Sequence, residues 1–590
     1  MARLILWGNA ISPGIAIGPL RLKQSIRLLE KRRIVAEDVT KEEEALVRAA
    51  EQVRSALGAA VREVPETLQE YREIMLSQME LARDPKIIDS ARARIRRRKI
   101  CATWALNETM EELCNLFSGI EDPYLQDRAQ DIKAICFRIA DALTGASHEK
   151  ATENKSILAS YELSPADVME LGPNGILGLL TVEGGPTSHT AILARGMRVP
   201  AIAGMTDLLA QAREGETVIV DALRGCALLA PDGDDLEKYQ EFRENYLAFE
   251  NQTKTSATLS SATKDGIELV VGANLENLSE LGTLKKSGAR GIGLYRTEYA
   301  YLGGALPDEK ALVEEYSTVL AKTAPEKVIF RTLDVGADKL LLPNIIPNEP
   351  NPALGLRGIR FCLKYRDIFR TQLRAVLRAS RNSNAALMLP MISGKAEIAE
   401  TREIISSVKE ELKAEGLAYA KDLPLGIMIE TPSAVLASDI LAGECDFFSI
   451  GTNDLVHYLL AIDRNNRHVA YLNEPLHPAI IRSLKTVIDA AHAKNITASV
   501  CGELASDPCG IVVLLGLGID ELSAAQRFVP AIKHILRKLD AGLCADLVNE
   551  ILTLHDVAEV KKLLEAAMVN FLGPELPYHS SSFVLRKSHE

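Results

Sequence analysis

No run of roughly 18 or more apolar residues free of charge occurs along this 590-residue chain, which excludes a membrane-spanning helix as its organising element. The opening MARLILWG has neither the length nor the cleavage pattern of a secretory signal, so a cytoplasmic protein is expected. Its nine cysteines, at 101, 114, 136, 226, 362, 445, 501, 509 and 544, form no C-x-x-C pair and no metal spacing. An odd, dispersed set of this kind argues for reduced thiols rather than a disulfide framework or a zinc module. Positive charge is outnumbered, with 68 Lys and Arg against 80 Asp and Glu and a net charge of -12. That balance disfavours nonspecific nucleic-acid binding and suits a basic protein partner, or an anionic substrate held in a local basic pocket. The one concentrated basic run, RARIRRRK at 92–99, has no aromatic residues interleaved and reads as a solvated helix face rather than a nucleic-acid patch.

What remains is 47% hydrophobic and 25% charged, the mix of a soluble globular protein, in a chain long enough for roughly two to four domains. Residues 1–20 alternate enough for one or two short strands, with Ser12-Pro13-Gly14 as a turn. From about 36 to 145 apolar residues recur at three- and four-residue intervals and glycine is rare, which predicts helices at 42–61, 68–82, 85–99, 103–117 and 124–143. Strands return at 157–159, 178–182, 199–203 and 217–220, so the helices read as an insertion into a smaller α/β domain. A connecting helix is expected from 234 to about 250, and the polar stretch 251–265 reads as a hinge or linker. Strand candidates at 268–271, 291–295, 328–330, 387–390, 425–429, 447–450, 497–500 and 521–523 then alternate with helix-length segments, the count of a (β/α)₈ barrel with a doubly wound sheet as competitor. The tail beyond Pro574 is expected to be peripheral.

Two regions carry chemistry. Gly184-Gly185-Pro186-Thr187-Ser188-His189-Thr190 sets one histidine behind two glycines and two hydroxyls at an expected helix start. Close backbone approach, a side-chain cap and unpaired N–H groups would favour a phosphate there, although an ordinary loop-to-helix junction would look the same. In the barrel, residues just after the strands face the active-site end, and they supply Arg296, Arg331, Glu430, Asn453 with Asp454, and Cys501. Arg357, Arg360, Arg464 and Lys339 lie in loops near the same rim. Such a cationic cluster predicts a small, multiply charged anion, because guanidinium offers a planar fork of donors to phosphate and carboxylate oxygens. Glu430 and Asp454 are hard oxygen ligands suited to Mg²⁺, or else partners of the arginines. Cys501 is either a buried structural thiol or a proton donor beside the substrate.

Taken in order, GGPTSHTAILAR at 184–195, GIGLYRTE at 291–298, RTLDVGADK at 331–339, NPALGLRGIR at 351–360, QLRAVLRAS at 372–380, GIMIETPSA at 426–434, FFSIGTNDL at 447–455, AIDR at 461–464 and CGELASDP at 501–508 resemble the enzyme I family of phosphoenolpyruvate–protein phosphotransferases. The resemblance implies a multidomain α/β chain: a swivelling phosphohistidine domain (1–20 and 146–232), a helical subdomain at 21–145 that docks the phosphocarrier HPr, a linker at 233–265, a phosphoenolpyruvate-binding (β/α)₈ TIM barrel at 266–574 and a tail at 575–590. It implies His189 as phosphoryl acceptor and donor, supported by Thr190 and Arg195, and Cys501 as the acid that protonates enolpyruvate. Arg296 and Arg331 would hold the phosphate, with Asn453, Arg464 and Arg357 on the substrate, Lys339 in support, and Glu430 with Asp454 as Mg²⁺ ligands. Pyruvate release, a homodimer formed through the barrel, and no nucleic-acid or membrane partner complete what it implies. Two other readings share parts of the pattern. A phosphoenolpyruvate synthase or pyruvate phosphate dikinase would carry a separate ATP-binding domain ahead of the histidine segment, where only about 150, mostly helical, residues stand. A non-catalytic phosphorylation-dependent regulator would have no chemical need for the arginines, both acids and the thiol. Pro186, where the family often has arginine, and Tyr299-Ala300-Tyr301-Leu302-Gly303-Gly304, where it has bulkier residues, depart from the pattern.

Overall fold

The computed structural model describes residues 3–23, 31–63, 69–118, 123–144, 155–161, 163, 175–184, 191, 194, 197, 199–301, 306–335, 349, 351–463, 469 and 472–572. They fall into two compact units, Met1–Glu244 and Asn245–Glu590. Among the described residues no helix is long and apolar enough to cross a membrane.

The first unit is built on an eight-stranded sheet of order β1-β8-β7-β3-β4-β5-β6-β2. Its strands are β1 (Leu4–Trp7), β2 (Asn9–Ser12), β3 (Ile15–Lys23), β4 (Ser156–Ser160), β5 (Ile176–Thr181), β6 (Ala201–Ala203), β7 (Thr217–Asp221) and β8 (Cys226–Leu229). The opening segment forms three strands where one or two were expected. β3 is antiparallel to β7 and parallel to β4, and the connection from β3 to β4 carries the whole helical insertion.

Five helices make up that insertion: α1 (Val39–Glu63), α2 (Gln69–Leu81), α3 (Pro85–Arg98), α4 (Ala102–Ser118) and α5 (Pro123–Thr144). On α3 the buried positions are Ile87, Ala91 and Ile95, one stripe at four-residue spacing. The Asp84 side chain accepts the Lys86 N–H at 2.8 Å, Pro85 takes the first turn and Lys99 ends the helix in a left-handed conformation. Leu46, Val53, Leu57 and Val61 do the same service on α1, each such burial contributing about 1.5–3 kcal/mol. These residues form one continuous cluster with Leu158 and Leu179 of the sheet and with Ala191 and Ala194, so the element that follows His189 is anchored in the same core. Part of the basic run on α3 is paired with carboxylates: Arg96 meets Glu43 at 2.9 Å, Arg94 pairs with Glu112, Arg98 with Glu108, and the Arg98 guanidinium lies 5.8 Å from the Trp104 ring centre. These pairs tie α3 to its neighbours, while residues 96–99 stay exposed as the solvated face expected from the sequence.

A helix at Gly233–Ser256 follows, longer than expected, and the boundary between the two units falls inside it. The polar stretch expected as a linker is partly this helix. The rest is pinned to the second unit: Ser261 Oγ donates to the Leu269 carbonyl at 2.5 Å, Lys264 N–H to the Leu539 carbonyl at 2.8 Å, and Lys533 Nζ to the Ala257 carbonyl at 2.7 Å. Hydroxyls turned onto backbone groups, invisible in composition, make an ordered segment out of a polar one.

The second unit is a closed barrel of eight parallel strands. These are β9 (Val270–Leu275), β10 (Ile292–Tyr295), β11 (Val328–Arg331), β12 (Ala385–Leu389), β13 (Leu425–Ile429), β14 (Phe447–Ile450), β15 (Thr497–Val500) and β16 (Glu521–Ala525). Their side chains sort into two clusters. Leu294, Ile329, Met388, Met428 and Cys501 fill the barrel interior, whereas Tyr295, Phe330, Leu389, Ile429 and Val500 belong to the outer layer packed by helices.

Candidate active site

Strand periodicity alone aims the key side chains. Phe330 points out and Arg331 therefore in; Ile429 out and Glu430 in; Val500 out and Cys501 in; Tyr295 out and Arg296 in. One mouth thus collects two arginines, a carboxylate and a thiol from four strands, as TIM-barrel geometry requires at the carboxyl ends. Asn453 and Asp454 join them from the first turn of the helix Thr452–Leu459, directly after β14.

The arginines do not stand alone. Arg331, buried to 5% exposure, donates to Glu298 at 2.8 Å and lies 3.1 Å from Asp334. Asp334 in turn receives Arg357 at 3.1 Å, and Arg357 reaches Asp454 at 3.3 Å and the Tyr458 hydroxyl at 3.0 Å. Arg296 pairs with Glu276 at the rim. One alternating chain of charge therefore runs from Glu298 to Asp454. Despite these pairs, the Nε–H groups of both Arg296 and Arg331 are buried and meet no acceptor among the described residues. An unmet buried donor costs about 1–3 kcal/mol, more beside a charge, so two of them on neighbouring strands mark where an anion is expected.

Glu430 is 1% exposed, and its Oε1 accepts the Met391 N–H at 2.6 Å. No donor among the described residues is directed at Oε2, and Gly451 leaves it room, since a Cβ there would lie 2.7 Å from that oxygen. Burial first, then the charges of Asp454 and Asp334, push the Glu430 carboxyl up to about 8 against the pull of Arg357 and Arg331. Among the described residues no group of three or more His, Cys, Asp and Glu side chains could hold a metal by itself. The Glu430 and Asp454 pair nevertheless fits a cation that completes its shell with substrate and water oxygens, because crowded carboxylates are relieved by a divalent charge.

Cys501 is buried at the end of β15, its Sγ 3.8 Å from the Ile450 carbonyl. Burial holds its thiol above the ordinary value, so it carries its proton at neutral pH. Gly502 is required next, because a Cβ would fall 2.0 Å from Thr452 Oγ1. Asn453 accepts the Glu503 N–H at 3.0 Å and donates to Glu503 Oε1 at 3.3 Å, which fixes the turn after the thiol.

Of the residues expected from the sequence, Arg296, Arg331, Arg357, Glu430, Asn453, Asp454 and Cys501 lie at this mouth. Arg360 Nη1 donates to the Leu354 and Gly355 carbonyls of its own loop. His189, Thr190, Arg195, Lys339 and Arg464 fall outside the described residues. Sequence reasoning missed Glu298, Asp334 and Tyr458. The first two stand inside GIGLYRTE and RTLDVGADK, where the arginines drew the attention.

Three segments match PEP-utilising enzymes: the N-terminal region over 7–128, the mobile domain over 152–225 and the PEP-binding domain over 250–541. The chain is 35% identical to a phosphoenolpyruvate-protein phosphotransferase of Geobacillus stearothermophilus over 559 residues, covering 94% of this chain and 96% of that one. Identity is 34% over 561 residues to its counterpart in Bacillus subtilis (strain 168), covering 94% and 98%. It is 36% over 484 residues to that of Staphylococcus aureus (strain MRSA252), covering 82% and 85%.

Proposed function

Since the chain belongs to the phosphoenolpyruvate-protein phosphotransferases of the PEP-utilising enzymes, we propose that it works in two stages, with His189 as the carrier between them. Phosphoenolpyruvate (PEP) binds at the barrel mouth and phosphorylates His189, and phospho-His189 then passes the group to a histidine of an HPr-type carrier protein. The observation that carries this reading is the pair of buried, unmet guanidinium Nε–H donors on Arg296 and Arg331. They face a site that also offers two crowded carboxylates and a protonated thiol.

In the first stage the bridging P–O bond of PEP breaks as His189 Nε2 forms the P–N bond, and the electron pair leaves on the enolate oxygen. Arg296 and Arg331 hold the phosphoryl oxygens in line, the orientation and charge stabilisation that phosphoryl transfer chiefly needs. Arg357 is held at the substrate by Asp334, Asp454 and Tyr458, while Asn453 fixes the Cys501 turn and Arg464 and Lys339 add positive charge. Cys501 Sγ–H then protonates the methylene carbon of the enolate to give pyruvate, and the thiolate regains its proton from water. Magnesium held by Glu430 and Asp454, when bound, neutralises charge on the substrate oxygens. Thr190 and Arg195 support the imidazole.

In the second stage the helical insertion α1–α5 receives the carrier protein, an acidic chain meeting a basic partner. A homodimer through the barrel belongs to the same reading. The test is labelled PEP with Mg²⁺: acid-labile, base-stable label appears on the wild type with stoichiometric pyruvate, and none on His189→Ala. Equal labelling of that variant would sink the carrier role.

A further inference from the structure

The arginine at the end of β11 has to be held in place after the sheet has stopped holding it. Ladder pairing between β11 and β12 runs to Arg331 and Met388, and Thr332 N–H still reaches the Met388 carbonyl at 2.9 Å. Beyond that, buried side chains replace the neighbouring strand. The Thr297 hydroxyl donates to the Arg331 carbonyl at 3.0 Å, and the Gln372 Oε1 accepts the Leu333 N–H at 3.0 Å. Gln372 Nε2 donates to Thr297 Oγ1 at 2.9 Å, closing the bracket on both sides of the Arg331–Leu333 backbone. Thr297 is fully buried and Gln372 is 1% exposed, on the amphipathic helix Arg366–Ala379 outside the barrel.

We propose that Thr297 and Gln372 are positioning residues for phosphoryl transfer. They set where the Arg331 guanidinium sits by clamping its backbone from behind. The inference rests on the reading of Arg331 as a phosphate ligand. Neither residue touches the mouth; their reach is through the peptide groups of residues 331–333. Glu298 accepts both the Arg331 Nη2–H at 2.8 Å and the Asp334 N–H at 2.9 Å, a second clamp on the side chain itself. With both clamps closed the guanidinium is fixed in place, and Nε is its one nitrogen without a partner among the described residues. A displacement of a fraction of an ångström then matters, because pre-organised donors lose their advantage when they must reorganise.

The experiment measures KM for PEP and the rate of His189 labelling in four variants, with melting temperature recorded for each. Thr297→Val keeps shape and loses the hydroxyl, Thr297→Ser keeps the hydroxyl, Gln372→Met keeps length without polar groups, and Arg331→Ala removes the guanidinium. Thr297→Val and Gln372→Met are expected to raise KM or slow labelling by about tenfold, the scale of one buried hydrogen bond lost with its partner left unmet. Thr297→Ser is expected to stay within about twofold of the wild type, a rescue that a purely packing role for the threonine methyl would not give. Should Arg331→Ala cripple labelling while Thr297→Val and Gln372→Met remain within about twofold of the wild type, the clamp is refuted and the arginine's role stands. Should Arg331→Ala label normally, the reading beneath it fails instead. If Gln372→Met melts too early to assay, the Val and Ser pair at Thr297 decides the question alone.

Discussion

Asp334 sits between two guanidiniums and makes the sharpest energetic test. Its side chain is 1% exposed; Arg357 donates to it from Nη2 at 3.1 and 3.2 Å and from Nε at 3.3 Å, and Arg331 Nη1 approaches to 3.1 Å. Asp334→Asn keeps the shape, removes the charge and turns an amide N–H₂ towards donors that need acceptors. Breaking a buried pair by removing one partner costs about 3–5 kcal/mol, since the other charge stays buried without compensation. Glu298 still pairs with Arg331 and Asp454 with Arg357, which keeps the expectation at that scale rather than above it. At about 2 °C per kcal/mol for a large domain, the barrel's melting transition should fall by about 6–10 °C. Inorganic phosphate should recover part of that loss, and more in the variant than in the wild type, because it binds the native state and finds two under-compensated arginines. Calorimetry with and without phosphate reads both quantities from one protein. A fall of less than about 2 °C, or equal stabilisation by phosphate in the two proteins, would show that Asp334 does not hold the charge balance of the mouth.

Gly451→Ala places a Cβ 2.7 Å from Glu430 Oε2 and should raise the Mg²⁺ concentration for half-maximal labelling by about tenfold while lowering the melting temperature by about 2–6 °C; an unchanged Mg²⁺ curve would argue against Glu430 as a ligand. Cys501→Ala should bind PEP with nearly unchanged affinity while pyruvate release slows by about 10²–10⁴-fold, the span of a lost general acid; loss of PEP binding would contradict that division. Because burial keeps the Cys501 thiol above its ordinary 9.0, the rate should not fall through thiol ionisation between neutrality and that pH, and a Cys501-dependent loss below it would contradict the protonated-donor role. Tyr458→Phe removes the acceptor of Arg357 Nη1 at 3.0 Å and the donor to the Ala353 carbonyl at 2.5 Å, and should raise KM for PEP by about three- to tenfold without altering the pH profile.

The placement of Arg296, Arg331, Glu430 and Cys501 at one barrel mouth was legible in the sequence because two periodicities agree there: the side-chain alternation of a strand and the barrel's placement of chemistry at strand ends. The five insertion helices were legible for the same kind of reason, an apolar stripe with little glycine. Glu298 and Asp334 were not, because a carboxylate two residues after Arg296 or three after Arg331 reads alike whether it pairs inward or faces water; only burial separates the cases. The four-residue β8, buried along its whole length, has no alternation to display. The polar stretch before β9 misled for a related reason. Serine and threonine look equally polar in a loose linker and in a segment whose hydroxyls cap their own backbone, as Ser261 and Thr263 do here.

The acids around the substrate site decide how it can work. Among the described residues the mouth holds three guanidiniums, on Arg296, Arg331 and Arg357, against five carboxylates, on Glu276, Glu298, Asp334, Glu430 and Asp454. If every one were ionised, a highly charged anion would meet a slightly negative pocket despite its arginines. Two features resolve this. Glu298 and Asp334 take the Nη groups of Arg331, and Glu276 takes one of Arg296, which leaves the Nε–H of both arginines without an acceptor among the described residues. Burial first, and then the charges of Asp454 and Asp334, lift the Glu430 carboxyl towards its neutral form, a shift that a cation shared with Asp454 would relieve. A divalent ion there would cancel the excess negative charge of the mouth. The internal pairs therefore orient Arg331 and Arg357, while Glu430 and Asp454 are the carboxylates that, on the proposed function, would hold the metal.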